Sequence, residues 1–203
     1  VANSTITAAA DITITGTSLG NNGVEINAAD VTATGAATLD IDGTAGPVGA
    51  APDGVLITGA TTVVSAAGGA MTIDGTGTGA NDGVEVNGAD ITGTNATTIT
   101  ITGTGGAQTT SEGVYLAGAG TVVSAAGNIT IVGTSLGDDG VNIESADITA
   151  TSTATIDIDG TSGTTTTSSD GVFIDGGSAT VISSASGAIT IDGTGRAGGG
   201  NDG

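Results

Sequence analysis

The strongest constraint on this chain is an internal repeat. A Gly-Val step recurs at Gly23, Gly54, Gly83, Gly113, Gly140 and Gly171, and Gly203 ends the chain in the same phase. The intervals are 31, 29, 30, 27, 31 and 32 residues. A period of this size is the mark of a solenoid or another repeat architecture, in which no unit buries its own apolar face and neighbours must stack to do so. A longer period lies on top of the first. Units opening at Gly23, Gly83 and Gly140 carry Ala29-Asp30-Val31-Thr32, Ala89-Asp90-Ile91-Thr92 and Ala146-Asp147-Ile148-Thr149. Units opening at Gly54, Gly113 and Gly171 carry Val63-Val64-Ser65-Ala66, Val122-Val123-Ser124-Ala125 and Val181-Ile182-Ser183-Ser184 instead. Two coil types therefore alternate. The segment Ser4 to Val24 aligns without a gap on Thr121 to Val141, an offset of 117 residues, so the sequence is expected to open partway through a coil.

Within each unit, three short runs place apolar residues two apart, the period of a strand with one buried face. The first run pairs Val24 with Ile26, Val84 with Val86 and Val114 with Leu116; the third pairs Leu39 with Ile41, Met71 with Ile73 and Ile99 with Ile101. For the second run the spacing predicts an inward column of Val31, Val63, Ile91, Val122, Ile148 and Val181. β-Branched residues, abundant Thr and a Gly at the end of the runs disfavour helix. The expected fold is all-β: a right-handed parallel β-helix of about thirty residues per coil, with three short strands per coil. Handedness follows from the rule for parallel crossovers. A sandwich or propeller would need hairpin connections and, in a propeller, four-stranded blades with aromatic signatures. The whole span 1–203 reads as one solenoid segment without caps, part of a longer array or a head-to-tail polymer.

Composition narrows what such a solenoid can do. With 39 Gly, one Tyr, one Phe and no Trp or Cys, the core must be thin and layered. Arg196 is the only basic residue against 21 carboxylates, for a formal net charge of −20, which repels nucleic acid and anionic membrane surfaces. No apolar stretch is long enough to span a bilayer. The absence of His, Cys and Lys leaves nothing to activate a Ser or Thr nucleophile or to hold zinc, and no catalytic residue or required cofactor is expected.

The residue before each repeat Gly forms a column of its own: Asn22, Asp53, Asp82, Glu112, Asp139, Asp170 and Asp202. Stacked carboxylates repel one another. Two readings follow. The Asp-Gly pair forms an Asx-type turn at strand entry, the favoured reading; or Asp53, Asp82, Glu112, Asp139, Asp170 and Asp202 hold calcium, which takes carboxylate oxygens in flexible geometry. Asp40 with Asp42 and Asp157 with Asp159 flank buried Ile41 and Ile158 on the third strand; a solvated face is favoured there over a glycosidase-like pair, because the arrangement recurs along the chain. The outward position of the first strand reads Glu25, Leu56, Glu85, Tyr115, Asn142 and Phe173, and Leu56, Tyr115 and Phe173 are candidates for lateral contact. An ice-binding Thr face is disfavoured because Thr32 and Thr34 are expected to align with Val64 and Ala66. Sequons at Asn3, Asn95 and Asn128 and the Thr-rich stretch 164–167 are candidate glycan sites.

The strings Ile12 to Thr17 and Ile99 to Thr104, both Ile-Thr-Ile-Thr-Gly-Thr, and Ile156 to Thr161, Ile-Asp-Ile-Asp-Gly-Thr, resemble filamentous haemagglutinin-type repeats of giant bacterial surface proteins. The resemblance implies a secreted β-helical shaft serving adhesion, surface coating or matrix assembly. Its partners would be copies of itself, glycans or a cell surface, in an extracellular or cell-surface setting. A glycan-binding module is the alternative, and a polysaccharide-acting enzyme or an ice-binding protein lies further off.

Overall fold

The computed structural model describes residues 3–48, 52–163, 169–176 and 180–195. Its eighteen strands, with no helix among the described residues, fall into an 11-stranded and a 7-stranded sheet, and every pairing is parallel. The chain winds as a β-solenoid of three arms per coil: two arms of one coil, then six complete coils. In a central coil the arms are Val84–Asn87, Asp90–Gly93 and Ile99–Thr104. The 11-stranded sheet contains the first two arms, which fuse into single strands at Val114–Ala125 and Val141–Ala150.

The period-two runs form strands because stacking lets each inward Ile or Val meet its counterpart one coil away, at roughly 4.8 Å. Leu39, Met71, Ile99, Ile129 and Ile156 make one such column, and Ile41, Ile73, Ile101, Ile131 and Ile158 the next; all are fully buried. Each aliphatic side chain so buried contributes on the order of 1.5–3 kcal/mol. At the last described coil the equivalents Ile174, Ile189 and Ile191 are exposed, having only one coil stacked on them among the described residues.

The first and third arms follow the expected register; the second does not. Val31 pairs with Val64, Ile91 with Val123 and Ile148 with Ile182, so Val63, Val122 and Val181 face outward and stack on Asp30, Asp90 and Asp147. The cause is the corner between the first two arms. One coil type turns on a single left-handed residue, Ala28, Gly88 or Ser145. The other spends three, Gly59-Ala60-Thr61 or Gly118-Ala119-Gly120, closed by Thr62 and Thr121, whose hydroxyls donate to the carbonyls of Thr58 and Ala117. The Val-Val doublet fits either phase, and corner length selects one. Consequently Thr32 stacks on Ser65 rather than Val64, and Thr7, Thr32, Ser65, Thr92, Ser124, Thr149 and Ser183 form an unbroken outward hydroxyl column. The neighbouring outward column alternates Asp and Val, so the face still lacks the regular Thr pairs expected of an ice-matching surface.

Two glycine columns meet at the corner between the third arm and the next first arm. A Cβ on Gly43, Gly75, Gly103 or Gly133 would strike the carbonyl oxygen of Gly54, Gly83, Gly113 or Gly140. The backbones touch there, and only hydrogen fits. Beyond this pinch a connecting segment of uneven length leads to the next first arm. From Gly16 to Gly23, Gly43 to Gly54, Gly75 to Gly83, Gly103 to Gly113, Gly133 to Gly140 and Gly160 to Gly171 it spans 7, 11, 8, 10, 7 and 11 positions. The remainder of each coil, as from Gly23 to Gly43 or Gly54 to Gly75, holds at 20 to 22. Coil-length variation is thus concentrated along one edge.

Candidate functional site

The acidic column lies where these loops re-enter the wall. Each returning residue sits just before a pinched Gly, so its side chain is trapped between coils: Asp53, Asp82 and Asp139 are 6–7% exposed. The side chains run along the axis and bond to the next coil's backbone. Asn22 Oδ1 accepts the Asp53 amide at 2.8 Å, Asp53 Oδ1 that of Asp82 at 3.2 Å, Asp82 Oδ1 that of Glu112 at 2.8 Å and Asp139 Oδ1 that of Asp170 at 2.6 Å. Glu112, one methylene longer, makes no such bond to Asp139 among the described residues. The expected Asx-type turn is not what forms among the described residues: the side-chain oxygens accept amides of the neighbouring coil and not a local amide, because the pinched corner holds each side chain between coils. Asp202 lies outside the described residues, as do 164–167.

Carboxylates are crowded in the column. Asp53, Asp82 and Glu85 bring oxygens within 4.8 Å of one another. Burial lifts the Asp53 carboxyl to about 7, helped by the Glu85 charge and against the Asp82 amide bond. Burial and then the neighbouring Glu112 carboxyl raise Asp82 further. Asp139 is lifted to about 7, again by burial first, with Asp138, Asp170 and Glu112 adding repulsion to a shift that the Asp170 amide moderates. No basic side chain lies among the described residues.

Glu85 was missed in the sequence set because it belongs to the outward column of the first arm, three positions after Asp82; the same spacing, Asn22 to Glu25, was a usable signal. Calcium takes roughly six to eight oxygens. The trio offers three side chains, and Asp53 and Asp82 each commit an oxygen to an amide. The donor set does not by itself make a calcium cage.

The outward column of the first arm stacks as expected: Glu25 on Leu56, then Glu85, Tyr115, Asn142 and Phe173. Leu56, Tyr115 and Phe173 are half-buried and two coils apart, so they alternate with polar groups and do not touch as one stripe. Tyr115 donates to Glu144 Oε2 at 3.0 Å; burial and this bond raise the phenol's pKa. Asn142, 6% exposed between the two aromatics, has its Oδ1 unpartnered. An open depression of about 490 Å³ is lined by Asn21, Asn22, Glu25, Asp53, Leu56 and Glu85.

Comparison with known protein families, curated proteins and solved structures finds no match.

On the third arm, Asp42 stacks on Asp74 and Asp159 on Asp192, with Asp40 and Asp157 one outward position away. The Asp159 carboxyl is raised by partial burial and by Asp157 and Asp192. This outward wall is made mostly of Asp and Thr, with Val132 in the same column.

Proposed function

We propose that the chain is a structural shaft, a length of an extracellular or cell-surface fibre, and that it carries out no catalysis. The observation that carries this reading is the constancy of the cross-section. The same inward columns and pinched glycine corner recur coil after coil, while the coils differ in their turns and loops and in their outward side chains. Such a wall supplies reach and stiffness through nearest-neighbour stacking. The setting follows from the haemagglutinin-type proteins that the repeat strings resemble. Electron microscopy of the whole chain tests it: rods that associate end to end or side by side are expected. Compact particles that remain monomeric across concentration would overturn the filament reading.

A second reading is favoured by the loop-bearing edge. Repeat proteins concentrate length variation on one face, often the face that binds. Leu56 and Tyr115 lie beside that edge with the depression between Glu25 and Glu85. In this reading the shaft also docks a glycan or a cell surface, and glycan-array binding lost on Tyr115→Ala or Phe173→Ala would support it.

A further inference from the structure

We propose that the carboxyl groups of Asp53, Asp82 and Asp139 act as proton-held clasps between coils, so that the solenoid is firmest in acid and loosens as the medium turns alkaline. The inference goes beyond the shaft reading and does not depend on it. Its geometric basis is the trapped column. Asp53 is faced by Asp82 from the next coil, by Glu85 on the adjoining strand and by Glu112 farther along; Asp82 by Asp53, Glu85 and Glu112; Asp139 by Asp138, Glu112 and Asp170. All of these neighbours are acids.

The Asp53 and Asp82 carboxyls are buried, and their oxygens and those of Glu85 lie within 4.8 Å of one another. Two ionised carboxylates so placed repel and cannot hydrogen-bond to each other, since neither has a donor. A proton between them turns repulsion into a charge-assisted O–H···O bond, as in any pair of carboxyls placed too close for both to ionise. Meanwhile the amide bonds from the next coil fix where each carboxyl sits. The raised pKa values agree with this geometry. In the unfolded chain these groups ionise near the ordinary value of 3.8, whereas in the fold Asp53 and Asp139 hold protons to about 7. Across that window the native state binds more protons than the unfolded state, so stability falls as pH rises. A salt-bridged Asp behaves in the opposite way.

Urea unfolding of the whole chain, with chelator and at fixed ionic strength between about pH 5 and pH 8, tests the proposal. The wild-type midpoint is expected to fall with rising pH, with a linkage of roughly one to two protons. Asp82→Asn keeps an oxygen for the Glu112 amide and removes the acid; it should flatten the slope and exceed the wild-type midpoint at the alkaline end. Asp53→Asn should do the same more weakly. A wild-type midpoint that is flat or rises with pH overturns the proposal, as does a slope unchanged in both variants. Should the variants fail to fold, infrared spectra of the wild type decide: a protonated-carboxyl carbonyl band at neutral pH that disappears on unfolding supports it, and its absence overturns it. Added calcium that raises the alkaline midpoint of the wild type but not of Asp82→Asn also overturns it, by placing a cation where the proton is assigned.

Discussion

Replacing Gly103 by Ala tests the pinched corner that fixes the coil's shape. A Cβ at this position would overlap the Gly113 carbonyl oxygen, lie 2.6 Å from its carbon and 2.8 Å from Val114 Cγ2. Ordinary contact between carbons begins near 3.5 Å, so the Gly113 peptide must retreat by about 0.9 Å. That carbonyl accepts the Val84 amide at 3.1 Å, and the same retreat carries the bond to about 4 Å, beyond useful range. Losing one or two such bonds costs about 1 kcal/mol each, and a buried amide left unpaired adds about 1–3 kcal/mol. The expected loss is therefore about 2–5 kcal/mol, a large fraction of a domain's net stability. Gly176 provides the control, since an added Cβ there meets nothing within 4 Å among the described residues, and Gly176→Ala should stay within about 0.5 kcal/mol of wild type. Urea denaturation of the three proteins, compared at equal m, measures both. If Gly103→Ala unfolds within about 0.5 kcal/mol of wild type, the corner has slack and the argument from close backbone approach fails.

Second-arm register is checked by a pair of changes in one doublet: Val64→Asn, placing an amide in the core, should destabilise by several kcal/mol or prevent folding, whereas Val63→Asn, facing outward between Asp30 and Asp90, should stay within about 1 kcal/mol. Ala28 turns its corner at φ 48° where the equivalent coil uses Gly88, so Ala28→Gly should stabilise, by up to about 1 kcal/mol after the entropy of the freer chain is counted, read as a rise in unfolding midpoint. Asn142 leaves a buried oxygen unpartnered between Tyr115 and Phe173, and Asn142→Leu should stabilise by about 1 kcal/mol in the same assay. Tyr115→Phe removes the bond to Glu144 and should cost about 0.5–1.5 kcal/mol.

The first and third arms were legible because each carries two apolar residues around one outward residue, a pattern with a single phase: Val84 and Val86 must face inward together, as must Ile99 and Ile101. The second arm was not, because Val63 and Val64 present a side chain to either face. What fixes the choice is whether the corner takes one residue or three, and that depends on tertiary details such as the Thr62 hydroxyl reaching the Thr58 carbonyl. The acidic column was legible as a column, since the residue before each Gly shares its phase. Its chemistry was not, because the sequence does not tell how deeply Asp82 is buried or that its oxygen meets an amide thirty residues on. Glu85 joins the cluster through the meeting of two columns at a corner, which neither column reveals alone.

The uneven loops beyond the pinch have a consequence for how such a chain can change. Because the glycine corner closes each coil before the loop begins, loop length is uncoupled from the register of the arms; the span between Gly43 and Gly54 already exceeds that between Gly16 and Gly23 by four positions with no effect on the register of either neighbouring arm. A foreign peptide grafted there would be held by both ends at a fixed post, and grafts on successive coils would stand in a row with the coil spacing as their pitch. The loops of neighbouring coils are themselves bonded, the Gly106 and Gln108 amides donating to the carbonyls of Asn81 and Gly79, so an exchange on one coil has to be matched by its neighbours on the same edge while the arms keep their register.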